Sequence, residues 1–138
     1  PQGRRPGWAA LLPELLAPAG YKSYHSGKWH VDGTVLAGGF SRSYLLGDHN
    51  RNFNPRDHKI DDKPLPPIDK DSGYYSTTHI TDRAIEWLDQ HQKGDAGSPF
   101  FLYVAYTAAH WPMHALEEDI AKYRGKYDQG YDAIRQAR

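Results

Sequence analysis

The sequence predicts an α/β fold, a mostly parallel sheet flanked by helices, and three observations carry that expectation. Across residues 76–92, Ile80, Ala84, Trp87, Leu88 and His91 recur at i, i+4, i+7, i+8 and i+11, the spacing of one buried helix face. The run Phe100-Phe101-Leu102-Tyr103-Val104-Ala105-Tyr106 is apolar without interruption and rich in β-prone side chains, as expected of a central parallel strand covered on both faces. Residues 21–26 alternate bulky and polar side chains and stop at Gly27, which reads as a strand running into a turn. A strand, a long connection holding a helix, and a second strand make a crossover unit of a parallel sheet.

The remaining elements follow in order. Residues 12–20 predict a short helix, with Pro13 suited to a first helical position, Glu14 to the positive end of the dipole and Gly20 to a left-handed cap. Pro18 keeps it short. Residues 32–75 are rich in Gly, Asn, Asp and Pro, include Pro64-Leu65-Pro66-Pro67, and show little periodicity outside 40–46. They predict a long irregular excursion, the kind of loop that often carries function. Charges from Arg51 to Asp71 alternate in sign, which fits a solvated loop and, as a sharper reading, a loop that selects substrate. Residues 93–99 read as a turn and 107–116 as a loop. Glu117-Glu118-Asp119 opens a helix, and 128–138 forms a last helical segment.

Composition excludes several functions. Seventeen basic and seventeen acidic residues give zero formal charge, so there is no electrostatic footprint for nucleic acid or for an anionic membrane, and any anion site must be local. No apolar run approaches the roughly 18 residues that span a bilayer. With no cysteine, these residues offer no disulfide, thiolate metal site or cysteine nucleophile. Among the eight histidines only His110 and His114 stand at a helical i, i+4 spacing, and Pro112 between them opposes a helix and hence a zinc-binding pair. A chain of 138 residues with 38% hydrophobic residues can bury one modest core. It has Pro1 in place of an initiating Met and a helix expected from residue 12, and reads as an internal piece of a longer protein.

In open α/β sheets ligands collect outside the carboxyl ends of the strands. Lys28 and His30 follow the first strand and His110 follows the second. Brought together, a point charge and two imidazoles would form a pocket for a tetrahedral oxyanion, with histidine as donor or proton carrier. A Lys-x-His after a strand also occurs as a solvated lysine and a capping histidine, and a histidine beside Trp111-Pro112 can simply pack in its loop. His25, His49, His58, His79, His91 and His114 are expected at the surface or behind the site, with His114 the nearest of them to a substrate.

Ala19-Gly20-Tyr21 followed by Gly27-Lys28-Trp29-His30 resembles the Gly-Tyr … Gly-Lys-Trp-His signature of the formylglycine-dependent sulfatase (arylsulfatase) family. Further landmarks occur in family order: Gly39-Phe40, Thr81-Asp82-Arg83-Ala84-Ile85, Pro99-Phe100-Phe101-Leu102-Tyr103, Ala109-His110-Trp111-Pro112 and Tyr127-Asp128-Gln129-Gly130-Tyr131-Asp132. The resemblance covers residues 12–138 and places them in the incomplete central portion of a single catalytic domain.

It implies an alkaline-phosphatase/sulfatase-like fold and hydrolysis of a sulfate ester, on a small molecule or a carbohydrate, by a formylglycine hydrate beside a divalent cation, usually calcium. By position, Lys28 would contact the sulfate and the formylglycine hydroxyl. His30 would take the proton that lets the sulfated hydrate collapse, and His110 would hold a sulfate oxygen and help protonate the leaving alcohol. Family habit suggests the periplasm, the lysosome or the extracellular space.

Several family features are missing. There is no Cys/Ser-x-Pro-x-Arg precursor of formylglycine, no Asp-Asp or Asp-Asn metal pair in the expected place, and no further sulfate-binding lysine; Ala109 stands where the family often has proline. Asp61-Asp62 matches a metal pair only as a dipeptide, so no metal role is assigned to it and no metal ligand is expected in these residues. The chain alone is expected to be inactive. Two alternatives stay open: a related alkaline-phosphatase-like phosphonate monoester or phosphodiester hydrolase, and a non-catalytic anion-binding module.

Overall fold

A computed structural model describes residues 3–137 of the chain. Helix α1 (Leu12–Leu16) holds Pro13 in its first turn and runs into a 3-10 turn (Ala17–Ala19), which Gly20 closes in the left-handed region at φ 83°. Strand β1 (Lys22–Gly27) follows, then β2 (Arg42–Leu46), β3 (His58–Ile60) and β4 (Lys63–Pro64). The long helix α2 (Ser76–Gly94), strand β5 (Phe100–Ala105) and two short helices, α3 (Glu117–Ala121) and α4 (Tyr131–Gln136), complete the order. No helix among the described residues is long and apolar enough to cross a membrane.

The strands form one sheet in the order β4-β3-β2-β1-β5. β1 runs parallel to both neighbours, with Tyr24 opposite Arg42 on one side and Leu102 on the other. β2, β3 and β4 pair antiparallel. The expected α/β class with a mostly parallel centre is therefore present, and helix α2 makes the crossover that brings β5 back beside β1.

Residues 32–75 differ from the irregular excursion that their composition suggests, since they contain β2 and the β3–β4 hairpin. Strands of three and two residues are too short to display a period of two, and they exist because β2 offers them an edge to pair with. The hairpin turns on Asp61 and Asp62, at φ 49° and 63°, the left-handed pair that a two-residue loop between twisted strands requires. The Asp61 carboxylate accepts the Ser43 backbone N–H at 2.9 Å and pairs with Arg42 at 2.8 Å, so this aspartate is structural.

Helix α2 covers the sheet face that carries Tyr24, Tyr44 and Leu46, and its Ile80 and Trp87 fill the space between. Side chains of this size contribute about 2 kcal/mol each when fully buried. Two polar ties fix the helix on the sheet: Trp87 Nε1 donates to the His25 carbonyl at 3.1 Å, and Ser26 Oγ donates to the Ile80 carbonyl at 2.7 Å.

Strand β5 corrects the expectation of a central strand buried on both faces. Among the described residues it pairs with β1 alone, and Phe100 and Tyr103 are 47% and 42% exposed. Leu102 and Val104 pack on the α2 side, whereas Tyr103 points to the opposite face, which α1 covers in part. Of the histidines expected at the surface or behind the site, His25, His58 and His91 are buried, His25 directly behind Lys28 and His91 on the helix face that its spacing predicts. Each has both ring nitrogens matched: His91 to the Tyr24 hydroxyl and the Ser98 carbonyl, His58 to the Tyr44 hydroxyl and the Pro66 carbonyl, and His25 to Ser43 and Lys28. A neutral imidazole so partnered is inexpensive to bury.

Candidate functional site

The end of β1 is held by three contacts. Gly27 has φ 120°, and a Cβ there would lie 2.1 Å from the Ala105 carbonyl oxygen of β5, so only glycine allows the two strands this approach. The next N–H, that of Lys28, donates to the same carbonyl at 2.9 Å. On the other side of the peptide, the Lys28 carbonyl accepts His25 Nε2–H at 3.2 Å, while His25 Nδ1 accepts the Ser43 hydroxyl at 3.2 Å. Trp29, Phe40 and Tyr103 surround the His25 ring at centroid distances of 5.6–5.7 Å. Burial holds its pKa down to about 4, so the ring is neutral and acts as a fixed donor.

Beyond Gly27 the chain opens into a cavity of about 480 Å³ lined by Lys28, Trp29 and His30. Lys28 is half-buried and His30 is exposed. Trp29 Nε1 donates to the Gly33 carbonyl at 3.2 Å and closes the turn that carries both side chains. The opposite wall comes from β2, β3 and their connections, with Gly47, His49, Asp57, Lys59 and Asp62. Two lysines and two aspartates thus face one space.

His110 stands on the loop after β5, exposed, with its N–H donating to the Thr107 carbonyl at 2.9 Å. It lines a second cleft of about 390 Å³ together with Asn52, Tyr75, Pro112, Met113 and His114. Lys28 and His30 therefore share one cavity and His110 belongs to its neighbour. The bridge is His49, which lines the first cavity and sets its ring edge-on to His110 at 6.3 Å. All lie at the carboxyl edge of the parallel pair β1 and β5.

The hydrogen bonds decide what these rings can do. His49 Nδ1 donates to the Gly47 carbonyl at 3.2 Å and His110 Nδ1 to the Trp111 carbonyl at 2.6 Å. A carbonyl can only accept, so each ring offers a lone pair at Nε2 when neutral and a proton there only when cationic. Such rings suit proton transfer to and from an oxyanion. His49, Asp57 and Lys59 were not foreseen as site residues. The alternating charges of 51–71 hint at a substrate-facing loop but single out neither Asp57 nor Lys59, because strand pairing brings residues 49–59 opposite residue 28.

Comparison with known proteins gives a consistent result. The family model described as Sulfatase matches residues 2–138. An uncharacterized sulfatase of Schizosaccharomyces pombe is 33% identical over 161 residues, covering 99% of this chain and 28% of the relative. The N-acetylgalactosamine-6-sulfatase of Mus musculus is 34% identical over 149 residues, covering 91% of this chain and 27% of the relative. Among solved structures, Ps i-CgsB in complex with k-i-k-neocarrahexaose matches with a TM-score of 0.71 and 25% identity over 86% of this chain and 31% of that one. A protein solved with its substrate D-glucosamine-2-N,6-O-disulfate matches with a TM-score of 0.65 and 27% identity over 80% of this chain and 21% of that one. The chain thus spans under a third of the length of each.

Proposed function

Because the chain belongs to the sulfatase family, we propose that it supplies the Lys28, His30 and His110 arm of the sulfate-binding site in a sulfuric ester hydrolase, as part of a single catalytic domain. The observation that carries this reading is the placement of Lys28 and His30 in one cavity at the carboxyl edge of β1, with His110 one imidazole away across His49. Lys28 holds the sulfate oxygens as a point charge on a pinned backbone. His110, through Nε2, gives a proton to the alcohol oxygen as the sulfur–oxygen bond breaks, and His30 moves a proton on the other side of the sulfate.

The two groups that the family implies do not fit residues of this chain. The sequence contains no Cys/Ser-x-Pro-x-Arg motif, and among the described residues no three His, Cys, Asp or Glu side chains cluster to hold a metal ion. A formylglycine nucleophile and a divalent cation such as calcium would be supplied by residues outside it. What this chain contributes is anion binding and proton handling. The D-glucosamine-2-N,6-O-disulfate named as substrate of one similar protein, and the N-acetylgalactosamine-6-sulfatase name of another, make a sulfated saccharide the first choice to test.

The test is sulfate release by the full-length protein from a monosulfated pyranoside and from 4-nitrophenyl sulfate. Sulfate should appear with the full-length protein and not with the 138-residue chain alone. Cleavage of bis(4-nitrophenyl) phosphate to 4-nitrophenol and the phosphomonoester, with no sulfate released from either sulfate ester, would replace this reading with the phosphodiester alternative.

A further inference from the structure

We infer that His114 is a specificity-determining residue of the cleft beside His110, donating a hydrogen bond through Nε2–H to a hydroxyl of a neutral saccharide ring that bears the sulfate ester. The inference rests on the sulfatase reading and adds the class of the alcohol.

The donor is built from the inside outward. Asn52 is only 8% exposed, and its Oδ1 accepts the Ser76 hydroxyl at 2.6 Å and the Thr107 hydroxyl at 3.2 Å. Its amide nitrogen donates to His114 Nδ1 at 3.1 Å. An amide N–H can only donate, so His114 Nδ1 is the acceptor and the hydrogen of the neutral ring sits on Nε2. The backbone is tied as well, with the Tyr75 hydroxyl donating to the His114 carbonyl at 3.2 Å. Phe53 stacks on Tyr75 at 5.3 Å and lies 5.9 Å from the His114 ring. Residue 114 is nonetheless exposed to the cleft it lines.

The two imidazoles of this cleft consequently have opposite neutral forms. His110 presents a lone pair at Nε2 and His114 presents an N–H. A hydroxyl accepts the His114 N–H, and the neighbouring ester oxygen, which can only accept, meets His110 in the cationic form that carries the proton at Nε2. The other walls are Pro112, Met113 and Ile120, apolar surface that fits the C–H face of a pyranose. Among the described residues no lysine, arginine, aspartate or glutamate lines the cleft. A second sulfate or a carboxylate on that ring would find no counter-charge there, which favours a neutral polyol.

The experiment measures kcat and KM of the full-length protein on a monosulfated pyranoside and on 4-nitrophenyl sulfate, whose alcohol has no ring hydroxyls. His114→Leu should lower the pyranoside-to-aryl ratio of kcat/KM about tenfold, chiefly through KM, and His114→Gln, which keeps an N–H donor, should recover most of it. An unchanged ratio in His114→Leu, or equal losses on both substrates, overturns the inference. A wild-type protein that cleaves the aryl sulfate and ignores the pyranoside overturns it too, while leaving the sulfatase reading intact. If the wild type cleaves neither, the sulfatase reading itself has failed and this inference falls with it.

Discussion

The two strand ends that meet at the site are built differently. The end of β1 is an interior strand end, clamped by Gly27 against Ala105, by the Lys28 N–H on the same carbonyl and by buried His25 on the Lys28 carbonyl. Among the described residues β5 has a neighbour on one side, and the loop at its end is exposed at Ala108, Ala109, His110 and Trp111. That loop is held from a distance by Thr107 and Asn52. On the proposed reading the contrast separates two tasks on one sheet edge. A cation that must meet the same anion each turnover gains from a rigid backbone, and a loop that contacts the variable part of a substrate gains from a support that can change without moving the sheet.

The strongest way to break this comparison is to remove the clamped cation. Lys28→Ala in the full-length protein should lower kcat/KM on sulfate esters by roughly a hundred- to a thousandfold, as the loss of one preorganised oxyanion contact does, with little change in unfolding temperature. Near-normal turnover would make Lys28 a solvated charge.

Next comes the clamp itself. Gly27→Ala forces a Cβ against a backbone carbonyl at a left-handed residue, and should cost about 3 kcal/mol in urea unfolding, whereas Gly73→Ala, with open space around it, should cost about 1 kcal/mol. Equal costs at the two glycines would remove the close approach from the account.

His25 gives a pH signature. Its pKa falls from the ordinary 6.5 to about 4 because burial penalises the charged ring. The unfolded chain therefore binds more protons between those values. Stability from this group is complete above about pH 6.5 and is lost as pH falls towards 4, by on the order of 3 kcal/mol. Unfolding curves across that range should show the slope, and His25→Leu should flatten it.

The smallest effect is expected on the other side. Asn52→Ala leaves two buried hydroxyls and the His114 ring nitrogen without a partner, and should cost about 2 kcal/mol. Amide hydrogen exchange should quicken across 107–116 and not across β1. Faster exchange at β1 would show that the two ends are one mechanical unit.

By itself the sequence determined the elements whose signal is local. The face of α2 is written in Ile80, Ala84 and Trp87, the strand into Gly27 in its alternation, and the proposed site residues Lys28, His30 and His110 stand in short motifs beside strand ends. Only the tertiary structure decided which strands are neighbours. It put β2 beside β1, turned part of the expected excursion into a hairpin and, among the described residues, left β5 with one neighbour and Tyr103 exposed. The same pairing carried His49, Asp57 and Lys59 across to Lys28. It also hid His25, His58 and His91, by giving each ring one partner from another strand or helix, Ser43, Tyr44 and Tyr24 respectively, beside one from its own stretch of chain. Periodicity and turn chemistry act over a few residues and can be read along the chain. Strand order and the matching of buried polar groups depend on contacts between residues far apart in sequence, and these are settled only when the sheet closes over its helix.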